Sequence, residues 1–365
     1  MDYPHSSIYI NNRREQLHDI ITEAAAPRTT FETNTFNFIR QWFTGKSEFK
    51  LHTSGSTGEP KEIEITRAQM ISSAQLTEQA LDLKKEYTSL VCLDTRYIAG
   101  QMMMVRSFIT GMYIVAVEPA ANPLESLSFS GQIHFTAVVP YQLHRLLQAP
   151  QREVLNRFQT VIIGGAAVDQ ETLMKLKSLS CRCYATYGMT ETVSHIALQK
   201  LNGETSSDLF HILPGISIDQ DERGCLMISA PYLQAQQITN DIVEIINKTS
   251  FKWLGRWDNV INSGGVKISP EHLEKKIETG FQQLNLHHRY IISSVPDTLL
   301  QNKIVFVLEA DTPVESIRKS LFELFLMVFD PYERPKEILG YFPFPETNTG
   351  KINRRIIKED LSNRH

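Results

Sequence analysis

The chain has 365 residues, enough for two domains or one large one, and 42% hydrophobic with 21% charged residues is ordinary globular composition. A formal net charge of -4 supplies no basic field, so no nucleic-acid partner is expected. Cys92, Cys181, Cys183 and Cys225 match neither a zinc spacing nor a secreted disulfide framework, no basic-then-apolar leader opens the chain, and no apolar stretch approaches the ~20 residues of a membrane helix; a cytoplasmic protein with free thiols and no membrane insertion is expected.

Residues 1–48 read as an N-terminal cap with a helical apolar pattern from Asn34 to Phe43. Phe49 to His52 reads as a strand, and Thr66 N-caps a helix running to residue 82. Strands at 87–93, 113–117, 136–139 and 161–163 then alternate with helices at 102–108, 141–147 and 170–179, and a strand at 182–186 runs into Tyr187-Gly-Met-Thr-Glu191. This alternation predicts an α/β fold with largely parallel sheets. From residue 208 onward, short β segments at 216–218, 225–229 and 242–246 predict a small β-rich subdomain. A third region begins at Gly255-Arg-Trp-Asp258. Residues 260–261 and 266–268 form a hairpin around Ser263-Gly-Gly265, and Ser269-Pro270 opens a helix. Strands at 290–293 and 304–308 follow, then an amphipathic helix with Val314, Ile317, Leu321, Leu324, Phe325 and Val328 on its apolar face, and a Pro-rich, basic tail.

Several stretches carry chemistry. In Thr53-Ser-Gly-Ser-Thr-Gly58, followed by Lys61, hydroxyls, backbone N–H groups and one ammonium can cradle phosphate. A Walker-type loop does not fit, because Gly55 and Gly58 lie too close together and no Lys-Ser/Thr pair closes the run. A Ser/Gly linker is the plain alternative; Lys61 after Pro60 and the periodic segments on either side speak for the cradle. In Tyr187-Gly-Met-Thr-Glu191 an aromatic ring can cover a base, Thr190 can hold a phosphate oxygen, and Glu191 can ligate Mg²⁺; a helix with Glu in its first turn is the structural alternative. Gly164-Gly165-Ala166 at a strand end lets a flat ring approach the backbone, or is simply a tight turn. Asp241 can accept from ribose hydroxyls, with Arg256 reaching from the far side, unless both are ordinary surface charges. Lys351, after Gly350, can swing onto a developing negative charge, or belongs to a solvated basic tail.

The order of these motifs resembles the adenylate-forming family of acyl-CoA synthetases, luciferases and peptide-synthetase adenylation domains. That order is the hydroxyl-rich loop, Gly-Gly-Ala, Tyr-Gly-x-Thr-Glu, Asp before Gly-Arg-x-Asp, Gly-Gly-x-x-Ile-x-Pro-x-x-Leu-Glu, and Thr-x-x-Gly-Lys-Ile-x-Arg, here spread from residue 53 to 354. The resemblance implies a large N-terminal domain over 1–257 of parallel-rich sheets with helices and a small β subdomain, lacking part of the usual N-terminal portion, and a small mobile α+β C-terminal domain over 258–365. Thr53, Ser54, Gly55, Ser56, Thr57, Gly58 and Lys61 would hold the β- and γ-phosphates of ATP. Gly164, Gly165, Ala166, Tyr187 and Gly188 would frame adenine and the acyl pocket, Asp241 and Arg256 the ribose, and Thr190 and Glu191 the α-phosphate and Mg²⁺. Asp258 matches the hinge, Lys351 the lysine of adenylation, and Gly264 and Gly265 the face presented for the coenzyme A step. The implied chemistry is attack of a carboxylate on ATP, release of pyrophosphate, and transfer of the acyl group to a thiol. The implied partners are a small carboxylic acid, ATP and coenzyme A; a homodimer is compatible.

Arg96-Tyr97-Ile-Ala-Gly100-Gln101, with Arg106 five residues after Gln101, resembles the o-succinylbenzoate–CoA ligases of menaquinone biosynthesis within that family. Their substrate has one carboxylate to activate and an aromatic one to anchor, which suits the Arg106 guanidinium, with Tyr97, Gln101 and Gly188 lining the pocket. Tyr97 stands where the family commonly has His. Arg106 as a surface helix residue, another acyl or aryl acid, a carrier-protein-loading enzyme, and a silent nucleotide-binding relative are the alternatives.

Overall fold

The computed structural model describes residues 3–52, 62–148, 155–284, 286, 288–311, 315–346 and 352–364. The N-terminal segment forms β1 (Ser7–Ile10), β2 (Arg13–Gln16), α1 (Leu17–Ile21) and α2 (Thr30–Phe43). It does not cap the fold from outside. β1 runs parallel to β6 (Tyr113–Ala116), so the β1–β2 hairpin extends one edge of the main sheet. α2 starts four residues earlier than the apolar pattern predicts, because the Thr29 side chain accepts from the Glu32 N–H.

Next come β3 (Glu48–His52), β4 (Glu62–Thr66), α3 (Arg67–Leu81), β5 (Thr88–Val91) and α4 (Ile98–Thr110), then β6, β7 (Ile133–Val138), α5 (Pro140–Leu146), β8 (Phe158–Ile163), α6 (Gln170–Leu176) and β9 (Arg182–Gly188). β3 and β4 form a separate antiparallel pair flanking residues 53–61. Thr66 caps α3 as its sequence predicts, and Gln69 completes a reciprocal capping box with it. β5, β7 and β8 are buried at nearly every position, the mark of strands covered on both faces, and all pair in parallel.

β10 (His195–Lys200), β11 (Phe210–Ile212), β12 (Ser217–Gln220), β13 (Cys225–Ser229), β14 (Gln237–Asn247) and β15 (Ser250–Arg256) are antiparallel. The expected β-rich subdomain is therefore continuous with the main sheet, whose order is β12-β13-β14-β15-β11-β10-β9-β8-β7-β5-β6-β1-β2. Parallel pairing ends at β9, so the carboxyl ends of β8 and β9 open where the sheet changes character, the position at which open α/β sheets bind ligands.

The remaining elements are β16 (Ile261–Ser263), β17 (Val266–Ile268), α7 (Pro270–Gln283), β18 (Tyr290–Asp297), β19 (Gln301–Glu309), α8 (Glu315–Val328), β20 (Glu337–Tyr341) and α9 (Arg354–Arg364). Leu321, Leu324 and Phe325 of α8 are buried, as the amphipathic pattern predicts. Two apolar cores are built from residues between Ile8 and Phe251, and two others from residues between Ile261 and Leu361.

Candidate active site at the ends of the parallel strands

Ile163 sits in register with Ala185, so Gly164 and Gly165 at the end of β8 lie beside Thr186 to Gly188 at the end of β9. A Cβ on Gly164 would lie 2.8 Å from Thr186 Oγ1. Gly165 and Ala166 are exposed at this end of the sheet. Gly188 has a second neighbour: a Cβ there would lie 2.4 Å from His195 Cα, so only glycine lets the chain fold back against β9 at this point. Between them Thr190–Thr192 forms a 3₁₀ turn, which replaces the helix that the sequence left open as an alternative. Val193 follows with φ 67°, a strained conformation for a β-branched residue.

The Tyr187 hydroxyl donates to Asp241 Oδ2 at 2.8 Å, and the indole N–H of Trp253 donates to Asp241 Oδ1 at 3.1 Å. Burial, then the Asp241 charge, raises the Tyr187 pKa and keeps it protonated as a donor. Arg256 lies 3.7 Å from Asp241 Oδ1 and donates to Asp258 Oδ2 at 2.6 Å. Asn240 donates to the other Asp258 oxygen at 3.0 Å. Asp241, Arg256 and Asp258 are thus one connected group rather than isolated surface charges. An ionised carboxylate has about four acceptor positions, so Asp241 keeps capacity for two hydroxyls beyond its protein donors. Glu191 is half-buried and makes no hydrogen bond or ion pair among the described residues, which suits a carboxylate that ligates a hard cation.

α4 supplies the second half of the site. Its helix runs from Ile98 to Thr110, longer than the predicted 102–108, and is buried along most of its length against α3 and the sheet. A Cβ on Gly100 would lie 2.3 Å from the Asp94 carbonyl oxygen, so glycine allows the first turn to sit down on the preceding loop. The Tyr97 ring is exposed beside the Arg96 guanidinium. Gln101 donates to the Thr95 carbonyl at 3.1 Å, and its buried Oε1 has no hydrogen-bond partner among the described residues.

Arg106 is not a surface residue. It is 2% exposed, and its guanidinium meets Thr77 Oγ1 at 3.3 Å, Ser194 Oγ, and His195 Nδ1 at 3.4 Å. No carboxylate pairs with it among the described residues, and burial drives its pKa down to about 9. Nearby, burial raises the Tyr232 pKa to about 12, so its hydroxyl stays neutral and donates to the Thr192 carbonyl at 3.2 Å. Sequence reasoning did not single out Thr77, Ser194, His195 or Tyr232. One signal was available: Ser194-His195 interrupts the otherwise apolar Val193-x-x-Ile-Ala-Leu198 run with two polar residues.

Thr53 to Gly58, Lys61 and Lys351 lie outside the described residues. Gly264 and Gly265 turn the β16–β17 hairpin, with the Gly264 N–H donating to the Leu300 carbonyl at 2.8 Å.

The sequence profile of the AMP-binding enzymes matches residues 49–218. A solved acyl-CoA synthetase (AMP-forming)/AMP-acid ligase II-like protein from Dyadobacter fermentans is 41% identical, with 94% of this chain and 97% of that one covered and a TM-score of 0.63. The chain belongs to this family of AMP-forming, adenylate-forming acid ligases, which use ATP. Within the family, a 2-succinylbenzoate–CoA ligase from Listeria monocytogenes is 26% identical over 363 residues, covering 93% of this chain and 75% of that enzyme. The o-succinylbenzoate coenzyme A synthetase of Bacillus subtilis, solved with ATP and magnesium, shares the fold at 19% identity, with a TM-score of 0.68 and 84% of this chain and 68% of that one covered. Among the described residues no helix is long and apolar enough to cross a membrane.

Proposed function

We propose that this ligase acts on o-succinylbenzoate, activating the aliphatic carboxylate with ATP and passing the acyl group to coenzyme A. The observation that carries the proposal is Arg106, a buried guanidinium with three neutral partners and no protein carboxylate among the described residues. A buried cation without a counter-ion is costly, and a ligand anion offsets that cost. The second carboxylate of o-succinylbenzoate is such an anion, and the Arg106 Nη1 group, which has no partner among the described residues, can donate to it. The substrate named for the Listeria relative supports the same reading.

In the first step the aliphatic carboxylate attacks the α-phosphorus of ATP and pyrophosphate leaves. The carboxylate is already ionised at neutral pH, so the site needs no general base. Negative charge builds on phosphoryl oxygens, and positioned donors and cations are the main catalytic resource. Residues 53–58 and Lys61 would hold the leaving pyrophosphate, and Lys351 would stabilise the reacting phosphoryl group. Glu191, with Thr190, would hold magnesium, which supplies charge to the phosphate oxygens when bound. Asp241 and Arg256 would fix the ribose, with Gly164, Gly165, Ala166 and Tyr187 around the base. In the second step the coenzyme A thiol attacks the acyl carbonyl and AMP leaves. We further propose that residues 1–257 and 258–365 are separate domains hinged at Asp258, so that Lys351 serves adenylation and the Gly264–Gly265 hairpin serves thiol attack. The division of the apolar cores supports this boundary.

The test is a pyrophosphate-release screen over a panel of carboxylic acids, with and without coenzyme A. o-Succinylbenzoate should give the highest kcat/KM. Equal or better turnover of acids with a single carboxylate would overturn the substrate assignment.

A further inference from the structure

Three polar side chains surround the Arg106 guanidinium, and their hydrogen atoms can be assigned one by one. Thr77 Oγ1 lies 3.1 Å from the Ser73 carbonyl oxygen, four residues back on α3, and donates to it. Its single proton is then spent, so toward every other neighbour Thr77 Oγ1 only accepts. Arg106 Nε donates to it at 3.3 Å. His195 Nε2 lies 3.2 Å from the same oxygen, so that nitrogen carries the imidazole proton. Nδ1 is then the bare nitrogen, and it faces Arg106 Nη2 at 3.4 Å and the Ser194 hydroxyl, also at 3.4 Å, as an acceptor. A proton on Nδ1 would set an N–H against the guanidinium N–H. The geometry therefore selects one state of His195, neutral with the proton on Nε2.

The backbone around His195 is built for this contact. Gly188 leaves no Cβ between β9 and His195, and Val193, buried two residues before His195, holds a positive φ of 67°. Such strain persists where the surroundings enforce it. Here it delivers Ser194 and His195 together to the guanidinium. Thr77 holds Nε, while Ser194 and His195 hold Nη2. None of these contacts involves Nη1.

We propose that His195 is a positioning residue for acid recognition: its bare Nδ1 fixes the rotation of the Arg106 guanidinium, so that the uncommitted Nη1 group is presented to the distal carboxylate of a dicarboxylic acid. This rests on the reading of Arg106 as the carboxylate anchor. His195 touches neither the reacting carboxylate nor the nucleotide in this scheme. Its loss should weaken binding of the acid and leave the chemistry of adenylation intact.

The side-chain amides separate the two nitrogens of the ring. Asn can place its amide oxygen near the Nδ1 position and keep an acceptor for Arg106. Gln reaches the Nε2 position, keeps the Thr77 contact and loses that acceptor. The experiment measures kcat and KM in the full-length enzyme with o-succinylbenzoate and with the same acid lacking the ring carboxylate, for wild type, His195→Asn, His195→Gln and Arg106→Met. Thermal denaturation confirms that each variant is folded. His195→Gln should raise KM for the dicarboxylate about 10-fold, the scale of one hydrogen bond to a charged group, while His195→Asn stays within about twofold. Neither variant should change kcat, KM for ATP or KM for the monocarboxylate by more than about twofold. Equal KM values in both His195 variants, or a fall in kcat with both acids, would overturn the positioning role if Arg106→Met still raises the dicarboxylate KM. An Arg106→Met variant without that increase would instead remove the anchor reading.

Discussion

Replacing Arg106 by Met removes the charge while keeping an unbranched apolar stem of similar length. Burial holds the guanidinium pKa down to about 9, which at 1.36 kcal/mol per pKa unit corresponds to a cost of about 5 kcal/mol for keeping the charge there. Guanidinium groups keep their proton in proteins, so this cost remains in the empty site rather than being relieved by deprotonation. A substrate carboxylate recovers part of it. A charge-assisted hydrogen bond contributes about 1.5–3 kcal/mol, so Arg106→Met should raise KM for o-succinylbenzoate about 10- to 150-fold. Initial rates of pyrophosphate release, with acid and ATP varied in turn, measure this. The acid lacking the ring carboxylate should bind the variant as well as it binds wild type, and KM for ATP should move less than about twofold. Without acid present, the variant should be no less stable than wild type in urea denaturation, because replacing an unpaired buried charge by an apolar side chain is often neutral or stabilising. Arg106 is not the carboxylate anchor if the two acids lose affinity equally, or if the variant unfolds more readily in the absence of acid.

Two further outcomes concern the Glu274–Arg354 pair and His195. Glu274 accepts from both terminal nitrogens of Arg354, at 2.7 and 2.5 Å, and from the Ile292 N–H at 2.6 Å. Glu274→Ala would leave the half-buried Arg354 without its partner and should cost about 1.5–3 kcal/mol in urea denaturation, whereas a loss under about 0.5 kcal/mol would show that water replaces the carboxylate. Burial, then the Arg106 charge, holds His195 well below its ordinary pKa, while Thr77 and Ser194, which also face it, do not titrate, and Tyr232 near Arg106 stays neutral. Below the unfolded pKa of about 6.5 the unfolded chain takes up a proton that the folded chain refuses, so stability falls with pH there by about 1.4 kcal/mol per unit. His195→Asn should remove that part of the slope when denaturation at about pH 5 is compared with about pH 7; superimposable pH profiles would contradict a buried neutral imidazole.

Local patterns made much of the fold legible. The parallel strands β5, β7 and β8 overlap the segments that strand–helix alternation predicts, and Thr66 caps α3 as its residue type predicts. The fused sheet was not legible, because the switch from parallel to antiparallel pairing at β9 is a long-range choice that short β segments do not encode. Asp241 and Arg256 could be named from motif order, but their connection through Asp258 depends on β14 and β15 pairing Asp241 with Arg256. Arg106 was visible through its spacing from Gln101, whereas its environment was not. Thr77 lies on a different helix and His195 on a strand nearly ninety residues away, and only packing brings them to one guanidinium.

The proposed reaction forms an AMP-linked intermediate of o-succinylbenzoate and passes its acyl group to coenzyme A with release of AMP. Incubation with o-succinylbenzoate, ATP, magnesium and coenzyme A, followed by mass-resolved chromatography, tests it most directly. The expected products are o-succinylbenzoyl-CoA and AMP in equal amounts, with o-succinylbenzoyl-AMP accumulating when coenzyme A is withheld. Release of ADP and phosphate, or an adenylate that forms but is never converted to the thioester, would rule this reaction out.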